Sequence, residues 1–212
     1  MTLKISTPDN HQYGIIYSKI KGIKSKVKVL DIGASQNFLL LKKNLPGNFI
    51  YHTLDFGPQY TFNFNLDEGQ FPVKSDSYDI VICTETLEHV MYPERVIKEM
   101  IRVAKKNATF LISLPNEYNF IQRFYFLMGK KSSMDEPFQT VEKHLHIHKP
   151  RVEDIISLLS RNFKIIDVDY VWQSHLSHFS ILAENLDRII NLFANVWPSM
   201  FARLVLVTAK NK

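Results

Sequence analysis

The 212-residue chain is short of glycine, with seven, and has a single cysteine, Cys83. One cysteine excludes an internal disulfide. So few glycines make each one informative, and they exclude a repetitive or linker-like chain. The N-terminal stretch MTLKISTPDN has no apolar core, so no secretory signal is expected. No long apolar run exists either. The nearest candidate, Ile189 to Ala209, is broken by Asn191, Asn195, Pro198, Ser199 and Arg203, which argues against a membrane span. Together these absences make a cytoplasmic protein the expectation. Hydrophobic residues at 45% and charged residues at 22% exclude a disordered chain and leave enough apolar matter for one sizeable core.

The balance of charge is basic, +5, with much of the excess in KIKGIKSKVK, Lys19 to Lys28. A single-strand-binding surface interleaves aromatic residues with its cations. None occurs here, so the stretch reads as a solvated helix end and loop, and nucleic acid is not an expected partner.

What is present is an alternation of elements. A short helix is expected over Tyr13 to Ile20 and strands over Val27 to Ile32 and Phe49 to Leu54, with Phe38 to Lys43 helical between them. YTFNFNL, from Tyr60, alternates in the strand period. Tyr78 to Cys83 is a near-continuous apolar run, as in a strand buried on both faces. Pro93 opens a helix whose inward side is Val96, Ile97, Met100, Ile101 and Val103. Ala108 to Leu114 is the next strand. Helix Tyr118 to Met128, a polar loop over Lys130 to Lys143, helix Arg151 to Ser160, strand Phe163 to Trp172, helix Phe179 to Val196 and strand Ala202 to Ala209 follow. Strands alternating with helices argue a parallel sheet covered on both faces. Ligands in such sheets sit beyond the carboxyl ends of the strands. Those ends carry Asp31-Ile32-Gly33, Asp55, Asn65-Leu66-Asp67, Thr84-Glu85 and Pro115-Asn116, polar groups at five ends at once.

VLDIGAS, the acid closing the second strand, and SYDIVICTETLEHVMYPERVIKEMIRVAK together resemble a class I S-adenosylmethionine-dependent methyltransferase. The resemblance covers roughly Val27 to Tyr170. NLDEG, the segment from Glu99 to Lys130 and the later HLHIH resemble the MetW branch, where the helix after strand four runs into strand five without a glycine pair, as Lys105-Lys106-Asn107 does here. The resemblance implies an α/β fold: a Rossmann-like, doubly wound, mostly parallel seven-stranded sheet with helices on both faces. It implies one domain over 1–212, with 1–26 as a helical cover and 116–148 and 173–201 as lid or substrate insertions. S-adenosyl-L-methionine is the implied cofactor.

The same resemblance implies the roles of single residues. Asp31, Gly33, Ala34 and Ser35 would lie against the methionine moiety. Asp55 would accept from the ribose hydroxyls, with Phe56 beside it. Asn65, Leu66 and Asp67 would face the adenine, and Thr84 and Glu85 the sulfonium. Ser35 and Asn37 stand where the family loop has its second and third glycines. Serine is small and asparagine tolerates the left-handed conformation, so the loop can keep its shape.

Methyl transfer needs alignment of nucleophile and methyl, exclusion of water, and a base only when the nucleophile arrives protonated. His89, after Glu88, is the candidate catalytic base; it could instead line the pocket or cap the next helix. Glu88, His89, Asn116 and one of His144 and His146 are the candidate acceptor contacts. His144, His146 and His148 alternate and could face one way on an extended segment, but a polar loop explains them and no metal is expected. Phe120, Phe124, Tyr125, Phe126, Phe193, Trp197 and Phe201 are read as core and lid packing, or as an apolar pocket or partner surface. Two functions follow. One is an enzyme methylating a small-molecule, sugar or lipid-like acceptor. The other is a catalytically weak, cofactor-binding regulatory protein of MetW type that acts through a protein partner.

Overall fold

The structure, a computed structural model, describes residues 12–34, 38–130, 146–172 and 181–212. Ser35, Asn37, His144 and the polar loop over 131–143 lie outside the described residues.

Helix α1 (Gln12–Ile20) leads into strand β1 (Val27–Ile32), then α2 (Phe38–Asn44), β2 (Phe49–Asp55), the two-residue β3 (Phe62–Asn63) and β4 (Tyr78–Thr84). Helix α3 (Pro93–Val103), β5 (Ala104–Pro115), α4 (Phe120–Leu127), α5 (Val152–Asn162), β6 (Phe163–Val171), α6 (Ile181–Val196), the short α7 (Pro198–Phe201) and β7 (Leu204–Asn211) complete the order. The seven strands form one sheet in the order β3-β2-β1-β4-β5-β7-β6. All neighbours are parallel except β7, which runs antiparallel to both β5 and β6. The expected mostly parallel, doubly wound sheet is what the chain adopts.

Strand alternation distributes the core between the two faces. Leu30 and Ile32 of β1, Val81 and Cys83 of β4, and Phe110, Ile112 and Leu114 of β5 point to one face. There they meet Val96, Ile97, Met100 and Val103 of α3 and Ile155 and Leu159 of α5. Val29, Ile80, Ile82, Leu111 and Leu206 point to the other and meet Tyr13, Ile16 and Ile20 of α1 and Leu41 of α2. Cys83 is fully buried within this packing, as a small hydrophobe would be.

Several boundaries depart from expectation, three of them in the sheet. YTFNFNL yields only the two residues of β3, because Thr61 N–H donates to Thr53 Oγ1 (2.9 Å) and Thr53 N–H to Thr61 Oγ1 (3.1 Å). These side-chain bonds replace the ladder over that stretch. Strand β5 begins at Ala104, directly after α3. Its register with β4 shifts between Tyr78 and Ile80, so Lys105-Lys106-Asn107 form an irregularity ahead of the regular pairing at Thr109. The last strand starts at Leu204 and runs to Asn211, two residues later than expected at each end. Among the described residues, no helix is long and apolar enough to cross a membrane.

Candidate active site

The switch point lies between β1 and β4: the chain leaves β1 toward β2 on one side, while β4 and β5 lie on the other. Ile32 pairs with Cys83, so the two strand ends finish side by side. Gly33 follows β1 with φ +66°, and its N–H donates to Leu54 O (2.9 Å). A Cβ at Gly33 would collide with the Thr86 side chain, so glycine is required twice over, by the turn and by the close approach. Thr86 is buried, and its hydroxyl donates to Thr84 O (2.9 Å). Ala34 is buried beside it.

Alternation along β1 sends Asp31 to the α1 face with Val29. The carboxyl is buried; Tyr51 hydroxyl donates to its Oδ2, and its Oδ1 has no hydrogen-bond partner. Burial pushes the Asp31 pKa up to about 7, with the Tyr51 bond opposing and Asp55 adding to the rise. A buried acid with an unmet oxygen is a natural counterpart for a cationic amino group.

At the ends of β2 and β3, Asp55 is half-buried, and its Oδ1 accepts from Phe56 N–H (2.7 Å). The Phe56 ring stands 76% exposed next to it. Asn65 closes a turn on itself, accepting from Asp67 N–H (3.0 Å) and donating to Glu68 (3.1 Å). Leu66 is buried. Asp67 accepts from Met91 N–H (2.8 Å), and its carbonyl accepts from Arg95, which ties this rim to the start of α3.

The ends of β4 and β5 carry most of the ionisable groups. Thr84 is buried and ends β4. Glu85 follows with φ +47°, a strained backbone for a residue with a Cβ. Its side chain is exposed, yet Gln12, His146, Arg203 and Glu117 surround it. Desolvation raises its pKa, with His146 and Arg203 opposing and Glu117 reinforcing. Glu88 is wholly buried and neither carboxylate oxygen has a partner; desolvation first, then Glu85 and Glu117, push its pKa well above the usual range. His89 is half-buried, and its ring meets His146 edge-on at 4.7 Å. His146 is buried, and its Nδ1 bonds Glu117 Oε1.

Several expected members are placed differently. Asn116 does not present its amide to an acceptor. It is buried and bonds Ala202 O (2.8 Å), Ser199 O (3.2 Å) and Tyr118 N–H (3.1 Å), because the turn leaving β5 needs its backbone groups satisfied. Glu88 is wholly buried instead of lining an open pocket. The histidine ladder does not act as one unit: His148 Nε2 lies 2.9 Å from Val90 O. Four contributors do not follow from the sequence reading. Thr86 and Glu117 each lie one residue past the polar strand ends Thr84-Glu85 and Pro115-Asn116. Tyr51 and Gln12 meet the site only through the fold, and nothing local in sequence marks them. Gln12 brings α1 to the site by accepting from Ser113 Oγ (3.0 Å).

These features suit a ligand with a cationic amino end, a polar sugar and a ring. Asp31 could serve as the anionic well, Gly33 as the backbone cradle, and Asp55 with exposed Phe56 as the far rim. A family described as a methyltransferase domain matches residues 30–112, which span the ends of β1, β2, β3 and β4. The chain is 24% identical over 174 residues to a ubiquinone biosynthesis O-methyltransferase of Photobacterium profundum, covering 74% of this chain and 70% of that protein. Among solved structures, a SAM-dependent methyltransferase from Archaeoglobus fulgidus aligns with a TM-score of 0.60 at 15% identity, over 94% of this chain and 92% of that one. An S-adenosylmethionine-dependent methyltransferase from Mesorhizobium loti aligns with a TM-score of 0.59 at 14% identity, over 96% and 99%. At such identities the structural likeness carries the fold, and the domain match carries the methyltransferase character of residues 30–112. Residues 30–112 carry a methyltransferase domain, the whole chain has the fold of S-adenosylmethionine-dependent methyltransferases, and S-adenosylmethionine is the cofactor these likenesses indicate.

Proposed function

We propose that the protein methylates a hydroxyl oxygen of a small acceptor with an apolar or aromatic body. The observation that carries this reading is the buried Glu117–His146 pair set edge-on to His89, between the ends of β4 and β5. A carboxylate on one imidazole nitrogen fixes the tautomer and leaves the other nitrogen to meet an acceptor proton. An oxygen acceptor needs this service, since a neutral hydroxyl is a poor nucleophile. The relative's name, an O-methyltransferase, supports the same choice of atom. An aromatic group at the same end of the sheet supports the apolar body: Phe120 stacks on Trp172 at 5.0 Å, and Phe201 joins it at 5.6 Å.

Bound S-adenosylmethionine supplies an electrophilic methyl on a sulfonium. The chain's own residues would do the rest. Asp31 would hold the amino group, and Gly33, Ala34 and Ser35 would admit the methionine backbone. Asp55 would accept from the ribose hydroxyls, with Phe56 against the sugar. The rim of Asn65, Leu66 and Asp67 would border the adenine. Thr84 and Glu85 would form the floor near the sulfonium, where a carboxylate favours positive charge. His89 and His146 would orient the acceptor hydroxyl and take its proton.

The test is transfer of label from tritiated S-adenosylmethionine to a panel of phenols, aliphatic alcohols, sugars and fatty acids. Label on a hydroxyl oxygen of a phenol or apolar alcohol, reduced roughly 100- to 10,000-fold by His89→Ala, is the expected result. Tight cofactor binding with no transfer to any acceptor would favour the regulatory reading instead.

A further inference from the structure

We propose that Glu88, His89 and His146 form a binding site for one divalent transition-metal ion of the zinc or manganese class. Each offers a ligand atom, and the three atoms lie within 4.8 Å of one another. Small side-chain adjustments bring such a set onto one ion.

Three independent features point to a cation there. Glu88 is wholly buried, and neither carboxylate oxygen has a hydrogen-bond partner. A buried carboxyl with both oxygens unmet is a place where a bound cation would be strongly favoured. Next, Glu117 Oε1 bonds Nδ1 of His146. A carboxylate behind a histidine is the usual outer support of a metal-bound imidazole. Finally, the backbone is built to bring the ligands together. Glu88 O accepts from both Ile147 N–H (2.8 Å) and His148 N–H (3.0 Å), which fastens the irregular stretch after 145 to the turn carrying Glu88 and His89.

Two imidazoles and one carboxylate suit zinc, manganese or iron(II) and leave coordination positions open. Departing from the expectation of no metal, the site uses only one histidine of the alternating set and takes its other ligands from the end of β4. The role of the ion rests on the methyl-transfer reading; its binding does not. An acceptor hydroxyl on an open position would lose its proton to solvent as the ion lowers its pKa. The oxygen then attacks the methyl carbon. The O–C bond forms as the C–S bond breaks, and the electron pair stays on sulfur, giving a neutral thioether. In this state His89 and His146 are ligands, not bases.

The experiment is calorimetric titration of chelator-treated, tag-free protein with zinc chloride and with manganese chloride, beside metal analysis of protein purified without chelator. One equivalent should bind. Glu88→Gln and His89→Ala should each weaken binding at least 100-fold, and Glu117→Gln roughly 10- to 100-fold through His146. His52→Ala, on β2, should bind like the wild type. Since Glu88 is buried, each variant's melting temperature is measured too, and half-buried His89→Ala decides if Glu88→Gln fails to fold. Absence of stoichiometric binding, or binding that survives His89→Ala unchanged, overturns the proposal. Methyl transfer at full rate in metal-free protein overturns the ion's role in the reaction and leaves the proposed function standing. One-to-one metal binding lost in His89→Ala, without transfer to any acceptor, leaves the site standing and removes the methyl-transfer reading.

Discussion

Asp31 shows how one position can trade stability against binding. Its folded pKa of about 7 lies above its ordinary value of 3.8, so folding takes up a proton between those limits. The favourable contribution is complete below about pH 4 and is lost as pH rises through about 7, where the buried carboxyl must ionise. The cost of ionising it is on the order of 4 kcal/mol. Urea unfolding of ligand-free protein should therefore show Asp31→Asn gaining on the wild type as pH rises from about 4 to about 8, while the same variant binds cofactor more weakly. A constant difference across that range would remove the buried acid from the account. Glu85 makes a similar trade. Its left-handed backbone costs about 1–2 kcal/mol, so Glu85→Gly should leave stability equal or raised by about 1 kcal/mol and should lower turnover. Gly33→Ala goes the other way. It meets Thr86 and demands positive φ, and calorimetry should find cofactor binding reduced at least 10-fold.

Among the elements, α4 depends most on its first turn. It has no buried residue of its own, and Asn119 holds its start. That side chain accepts from Ile121 N–H (3.2 Å) and Gln122 N–H (3.3 Å) and donates to Asn116 O (3.0 Å). Asn119→Ala should cost about 1–2 kcal/mol in urea unfolding. An unchanged midpoint would mean that α4 is held by its aromatic contacts instead. Element existence was readable from sequence wherever apolar period and punctuation agreed. In α3, Pro93 starts the helix and the buried residues recur at helical spacing, and in β4 the apolar run leaves no alternative. It was unreadable where side chains compete with the backbone. The Thr53–Thr61 bonds that shorten β3, and the irregularity at Lys105 to Asn107, are made between distant or offset residues that no local pattern records.

At the scale of the molecule, the site is a product of topology. Asp31, Asp55, Thr84 and Glu85 were legible because a parallel sheet puts strand ends on one edge, and polar residues there are conspicuous. Glu117 and His146 were harder to see as partners, since 29 positions separate them and only the return of the chain to β4 joins them. The basic excess, by contrast, is partly spent internally: Lys19 pairs with Asp167 (2.7 Å) and Asp169 (2.8 Å) of β6. The central claim is that the edge formed by β1, β2 and β4 is where the cofactor lies. It is tested most directly by calorimetric titration of the wild type and Asp55→Ala with S-adenosylhomocysteine. One-to-one binding by the wild type, weakened in the variant by about 1.5–3 kcal/mol, is expected from the loss of hydrogen bonds to a charged group. No binding by the wild type, or equal binding by both, would contradict it.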